Sequence, residues 1–264
     1  MIGMLKYSDD FQKSTESTQL WFKDTTFTAV ATDNLGFAAR QVKIIQKPAT
    51  KSTFSYCIPL KHIFGFCDDY DKVIYVVKHS LAITRKGDND AIFRAAGVAA
   101  GKVNLTKVSL WMKHVIPSDT MRSVLFNHIY PKVILDVDFR SRICEYNSVT
   151  PNAMGFNFKL SGRNERPKYI LLVIQTNRSG NQEVNPSVFD NCDLKAISVT
   201  LNGKRHPTND YNLKFTNIQF SRAYLDSTTF NEKFYGTNQL YAQSSIHDAE
   251  FKELYPIYVV DLSK

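Results

Sequence analysis

The 264-residue chain is 43% hydrophobic and 22% charged, enough to bury one large core or two modest ones, which excludes disorder as its main state. Its net charge is +8, but the basic residues of "KSTFSYCIPLKH", "RKGDNDAIFRAAGVAAGK" and "NGKRHP" are scattered among polar and apolar ones, so the expectation is a solvated surface rather than a nucleic-acid-binding tract. The opening "MIGMLKYSDDFQKS" lacks the basic-then-apolar pattern of a secretory signal, and no run approaches the roughly 18 apolar residues of a membrane span.

In chain order, period-two alternation and β-branched or aromatic runs predict strands over Val42–Gln46, Thr53–Ile58, Lys72–Val77, Ser80–Arg85, Val103–His114 and Lys132–Tyr146, the last long enough for two. Further strands are predicted over Gly155–Leu160, Lys168–Gln175, Leu194–Leu201, Asn212–Phe215, Ile218–Tyr224 and Pro256–Leu262. Asn202-Gly203 is a hairpin signal, because both central positions of a type I′ turn need positive φ. Helical signals are few. "SDTMRSVLFNHIYP" starts on Ser118/Asp119 and stops at Pro131, "SSIHDAEFKELYP" is built alike, and a short third piece falls in "PLKHIFGFCDDYDK". Strands outnumber helices and do not alternate with them, which predicts an all-β sandwich architecture with helical inserts. Small residues in "RAAGVAAGK", Arg94 to Lys102, place a boundary near residue 100.

The sequence offers little chemistry. Cys57, Cys67, Cys144 and Cys192 form no C-x-x-C pair, which argues against a zinc knuckle and a disulfide framework and for a reducing interior. The sequons at Asn104 and Asn177 are of a kind common by chance. His62 with Asp68, Asp69 and Asp71 offers a base and carboxylates, but the spacing fits neither an EF-hand nor H-E-x-x-H, and an acidic helix-to-strand connection explains them more simply. "RKGDNDAIFR" lacks a glycine and a terminal glutamate at the spacing of a calcium loop and reads as a polar connection. His79, His114, His128, His206 and His247 stand singly in different elements, and neither a G-x-G-x-x-G nor a Walker loop is present. No catalytic residue, metal or cofactor is therefore assigned.

Several ordered motifs resemble the double jelly-roll major capsid protein, or hexon, of Polinton/Maverick elements and adintoviruses. They begin with "GMLKYSDDFQKSTESTQLWFKD", Gly3 to Asp24, and "DNLGFAAR", Asp33 to Arg40. "FSYCIPLKHIFGFCDDYDKVIYVVKHSLAITRKGDNDAIFR", Phe54 to Arg94, then looks like the later part of a first jelly roll, with Leu-x-x-Ile-Phe before a long hairpin. "KVSLWMKHVIPS", Lys107 to Ser118, resembles the opening strand of a second roll. "RPKYILLVIQTNRSGNQEVNPSVFDNCDLKAISVTLNGKRHP" resembles a strand, an Asn-Pro-x-x-Phe connection and a strand ending in Asn-Gly. "FSRAYLD" and "ELYPIYVVDLSK" look like the family's Arg-Ala-Tyr segment and its late strand closing in Asp-Leu.

The resemblance implies an all-β double jelly roll: two antiparallel sandwiches side by side, residues 1–100 the latter part of the first and 101–264 the second. About a dozen strands stand against the roughly sixteen of such a fold, so a hexon lacking both ends is expected, with both rolls incomplete. The implied function is structural, a trimeric capsomer of an icosahedral shell, with no enzymatic activity. The implied partners are the chain itself, minor capsid or penton proteins, and nonspecific contact with genome or an internal membrane. The implied location is the virion capsid, assembled in the host nucleus or cytoplasm. Trp21, Phe22, Trp111, Arg222 and Tyr224 are the candidate interface residues, because large aromatics and Arg are enriched at such contacts; plain core packing is the alternative for the two tryptophans. Competing readings are a β-sandwich that binds carbohydrate or a receptor, a decayed host-genome copy with no capsid role, and a cupin-like metalloenzyme, the last lacking the H-x-H and downstream Glu it needs.

Overall fold

The computed structural model describes residues 1–45, 52–74, 77–130, 134, 136–161, 166–236 and 244–263, apart from the side chain of residue 12. In chain order its elements are α1 Ile2–Lys6, α2 Asp9–Ser14, α3 Leu35–Ile44, α4 Gly65–Asp69, α5 Asp88–Ala91, α6 Asp119–Ile129, β1 Tyr169–Leu172, β2 Val199–Leu201, β3 Lys204–His206, α7 Ser221–Thr228, α8 Phe230–Tyr235, α9 Asp248–Glu253 and β4 Tyr258–Asp261. They divide between a larger unit of residues 1–57, 86–102 and 159–264 and a smaller one of residues 58–85 and 103–158.

The larger unit is organised around β4. Its run Tyr258-Val-Val is buried, and it pairs antiparallel with β1 in the register Tyr169↔Asp261 to Leu172↔Tyr258. The helix α7 packs on it by presenting Ala223, Ser227 and Thr228, small buried residues at helical spacing that allow close approach. Around this contact Leu5, Val188, Leu213, Phe215, Phe230, Phe251 and Tyr255 are almost fully buried, each contributing about 1.5–3 kcal/mol by leaving water. Phe215 stacks on Phe220 at 5.4 Å, while Phe251 meets Tyr258 edge to face at 6.0 Å, the arrangements that the ring quadrupole favours. The β2–β3 hairpin turns through Asn202 at φ 50° and Gly203 at φ 77°, the positive pair its sequence predicts.

A buried asparagine builds the entry to α3. Asn34 caps the helix by accepting from the Phe37 N–H at 3.1 Å and also accepts from the Thr25 N–H at 3.2 Å. Its amide nitrogen donates to the Thr26 and Thr28 carbonyls at 3.0 Å each. All four bonding positions of the amide are thus used at a site without exposed surface. Gly36 follows because a β-carbon there would stand 2.3 Å from the Lys23 carbonyl oxygen. Arg40, one turn on, donates to the Phe22 carbonyl at 2.5 Å and pairs with buried Asp24.

Two loops of the larger unit are joined by a side chain acting as a strand. Gln182 accepts from the Gly101 N–H at 2.8 Å and donates to the Gly101 carbonyl at 3.0 Å. Arg94 N–H adds a 2.8 Å bond to the Gln182 carbonyl, and Asp90 accepts from the Gly180 N–H at 2.7 Å. The "RKGDNDAIFR" segment is thus a docked loop around α5.

In the smaller unit α4 is riveted to the segment 139–142. Asp69 accepts from both the backbone N–H of Arg140, at 2.7 Å, and its guanidinium, while Asp68 pairs with Arg142 at 2.7 Å. The Arg140 hydrogen bonds hold the Asp69 carboxyl below the ordinary range. Gly65 again marks a close approach, since a β-carbon would overlap the Arg140 carbonyl. The helix α6 starts where the sequence predicts, with Ser118 accepting from the Met121 N–H at 3.4 Å.

The structure departs from the strand expectations in definite places. Of Val42–Gln46, residues 42–44 form the end of α3 and Ile45 is its extended C-cap, because the Asn34 cap and the helix-forming Ala-Ala-Arg-Gln stretch outweigh the valine and isoleucine. Ile218–Tyr224 runs into α7, whose small buried face fits β4. Of Lys168–Gln175, Leu194–Leu201 and Pro256–Leu262, parts form β1, β2 and β4. Thr53–Ile58, Ser80–Arg85, Val103–His114, Gly155–Leu160 and Asn212–Phe215 form no named strand; Lys214 makes an isolated bridge to Gln219. Residue 46, residues 75 and 76 of Lys72–Val77, and residues 132, 133 and 135 of Lys132–Tyr146 lie outside the described residues. Among the described residues the sheets are two, each two-stranded and antiparallel.

Candidate functional site

The segment from Lys168 to Pro207 follows β1 with a buried polar knot. Arg178 donates to the Asn185 carbonyl at 2.7 Å and to Asp190 at 2.5 Å, and Asp190 also accepts from the Thr176 N–H and hydroxyl at 2.8 and 2.9 Å. Asn185 turns its own side chain onto the Ser187 N–H at 2.9 Å, which shapes the Asn-Pro connection. Gln175 donates to the Pro186 and Val188 carbonyls at 2.9 and 3.1 Å. Burial, with Asp190 adding to it, pushes the neighbouring Cys192 thiol up, away from the reactive thiolate. The knot ties side chains to each other and to backbone, while the Asn185 amide nitrogen is buried with no hydrogen-bond partner among the described residues.

The candidate interface residues fall into different surroundings. Trp21 is half-buried and packs against the core of the larger unit. Phe22 is half-buried beside it, its carbonyl held by Arg40. Tyr224 also packs on that core, meets Phe251 edge to face at 5.5 Å and donates its hydroxyl to the Ile246 carbonyl at 3.1 Å. Burial raises its phenol above the ordinary value, with Asp248 and Glu250 adding to the effect. Arg222 is exposed, lies 4.9 Å over the Tyr211 ring and donates to the Asn209 carbonyl at 3.1 Å. Trp111, in the smaller unit, is 86% exposed, and Ile116, further along the sequence, is 85% exposed.

The histidines and carboxylates considered for chemistry are dispersed. Asp68 and Asp69 are spent on Arg142 and Arg140, and His62 lies in the 3-10 turn Leu60–His62 ahead of α4. Among the described residues, three or more His, Cys, Asp or Glu side chains do not gather where they could hold a metal ion. No helix described is long and apolar enough to cross a membrane. The sequence reading missed Asn34, Arg178 and Gln182 as organising residues. Only Asn34 carried a readable signal, as a capping residue directly before Leu-Gly-Phe-Ala-Ala.

Among the described residues, Glu16 is a buried acid with a raised carboxyl. Its Oε2 has no hydrogen-bond partner among the described residues, and burial raises its carboxyl to about 7, an effect partly offset by the terminal amine.

Set beside known proteins, residues 22–264 match the family model of the double jelly roll-like domain. No curated protein sequence and no solved structure matches the chain. The matched range takes in the buried β1–β4 pair, the Arg178 knot, the Asn202-Gly203 hairpin and the α4 rivet, together with all five candidate interface residues except Trp21. The chain belongs to the double jelly roll-like domain family.

Proposed function

We propose that the chain is a structural shell protein, the major capsid protein of a virus or virus-derived transposon of the Polinton/Maverick and adintovirus kind. Double jelly roll-like domains are typical of viral capsid proteins, and the family match over residues 22–264 is the observation that carries the reading. The polar networks favour it, since Asn34, Gln182, Arg178 and Asp69 bond to backbone groups and Asp68 is spent on the Arg142 guanidinium. In this reading the two jelly rolls meet near residue 100. Three copies make a capsomer with a pseudo-sixfold outline, and capsomers tile with minor or penton proteins into an icosahedral shell inside the host cell. Closed threefold symmetry stops the first assembly step at the trimer. No catalytic residue or cofactor takes part.

The interface is assigned to large aromatic and Arg side chains, with Trp111 and Arg222 as its exposed members. An exposed apolar group of the size of Trp111 with Ile116 gains most by being covered. Any attraction between the +8 chain and a genome or internal membrane is weak and nonspecific, because its charges are mixed along the sequence. Size-exclusion chromatography with light scattering tests the reading. A trimer of 30.1-kDa chains is expected; a monomer at high concentration that binds a glycan array would favour the carbohydrate-binding alternative.

A further inference from the structure

The smaller unit has little core of its own. Every buried apolar side chain among the described residues lies in the larger unit, whereas the described residues of the smaller one include a single buried position, Gly65. Its α4 is anchored by the Asp69–Arg140 and Asp68–Arg142 pairs, and Phe66 meets Phe139 edge to face at 5.4 Å. Its α6 has no buried residue. Trp111, Ile116, Tyr130, Ile134, Tyr146 and Met154 are each more than three-quarters exposed. At about 150–250 Å² for an aromatic side chain, and somewhat less for an aliphatic one, they hold on the order of 900 Å² in water. That reaches the roughly 800 Å² which each partner gives to a stable interface.

Charge indicates which surfaces meet. From Lys102 to Ser118 the sequence carries Lys102, Lys107 and Lys113 and no Asp or Glu, while Asp136 and Asp138 flank Val137 further on. Lys107, Lys113, Asp136 and Asp138 are all exposed, and none of them enters an ion pair among the described residues. Arg140 and Arg142, which follow the two acids, are spent on Asp69 and Asp68. One copy thus carries a basic apolar stretch and an acidic apolar stretch that it does not bring together.

We propose that the smaller units of neighbouring copies complete one another, the basic stretch 103–116 of one copy docking on the acidic stretch 136–139 of the next. The inference rests on the reading of the chain as a trimeric shell protein and names the surfaces that build the trimer. The two stretches differ, so the contact is heterologous, and a heterologous contact repeated about a threefold axis closes into a ring. Trp111, between Lys107 and Lys113 in the sequence, is the apolar anchor. The lysines and aspartates fix which stretch it meets, because like charges across an interface are costly.

Sedimentation velocity over a concentration series tests the contact with three variants of the full chain. Lys107→Glu with Lys113→Glu, and Asp136→Lys with Asp138→Lys, are each expected to weaken trimer formation at least about tenfold. All four changes in one chain put opposite charges back across the contact, and assembly is expected to return to within about threefold of the parent. Thermal midpoints of the dilute monomers are expected to differ little, since exposed charges contribute little to their own fold. A parent that forms trimers and is unmoved by any variant overturns this contact and leaves the shell reading standing, whereas a parent that never assembles overturns both. Failure of the four-charge chain to reassemble also overturns the contact. So does a lowered monomer midpoint in the double variants that the four-charge chain restores, which would place the pairing within one chain. If a variant does not fold, the parent decides: its trimer is expected to dissociate several-fold more readily in about 0.5 M than in about 0.1 M sodium chloride, and indifference to salt overturns the contact.

Discussion

Asn34 shows how much one polar side chain can hold when it is buried with every bonding position used. Its amide spans residues 25–28 and the first turn of α3, so Asn34→Ala leaves two carbonyls and two N–H groups to find new partners. Unfolding free energy is expected to drop by about 2–3 kcal/mol in urea titrations; a drop under about 0.5 kcal/mol would show that water replaces the amide fully. Tyr258 is the opposite case. Its hydroxyl is buried with no hydrogen-bond partner among the described residues, and burial raises its phenol above the ordinary value. Tyr258→Phe is therefore expected to be neutral or to raise stability by up to about 1 kcal/mol, measured in the same way. Glu16 makes a prediction about pH. Its carboxyl in the folded chain is raised to about 7, above that of an unfolded glutamate. Neutral Glu16 thus contributes stability that is fully present below the unfolded value and is lost as pH rises through about 7. Glu16→Gln is expected to flatten this part of the stability profile, with the largest gain over the parent on the alkaline side, as read from denaturation midpoints across that range.

Among the elements, the legible ones were those whose signals are local. Ser118 before α6 and Asn202-Gly203 act within a few residues, and the structure places each where the sequence predicts, while α9 forms in its predicted segment but starts at Asp248 after His247 rather than on the serines. The β1 and β4 segments were legible as apolar runs, but their pairing joins residues 169 and 261, a register that alternation alone does not specify. Alternation likewise marked Val103–His114 as strand-forming without supplying a partner, and the described structure gives that stretch no ladder. The α3 and α7 helices were misread because β-branched and aromatic residues were counted without the cap or the docking face that decides their conformation. Asn34 outranks Val42 and Ile44, and the small face at Ala223, Ser227 and Thr228 outranks Ile218 and Tyr224. The close fit of α3 gives an element-scale test. Gly36→Ala puts a β-carbon against the Lys23 carbonyl, and the strain is expected to cost about 1–3 kcal/mol and lower the thermal midpoint. A midpoint equal to the parent's would mean that α3 shifts freely on the 23–24 backbone.

At the scale of the molecule, the family was legible in the sequence from the order of loose motifs, and the match over residues 22–264 bears it out at the level of the double jelly roll-like domain. The candidate interface was less legible, because aromatic content alone does not separate core from contact. Trp21 and Tyr224 pack on the core, whereas Trp111 stands out from its unit. If Trp111 anchors a subunit contact, Trp111→Glu is expected to lower the trimer fraction at least tenfold while leaving the monomer's thermal midpoint nearly unchanged, since an exposed side chain contributes little to its own fold. Loss of the fold would instead identify Trp111 as a core residue. The central claim, that this chain works by building a shell, is tested most directly by negative-stain electron microscopy of the purified protein. The account predicts class averages of threefold symmetry with a hexagonal outline. Uniform single-copy particles at every concentration would contradict it.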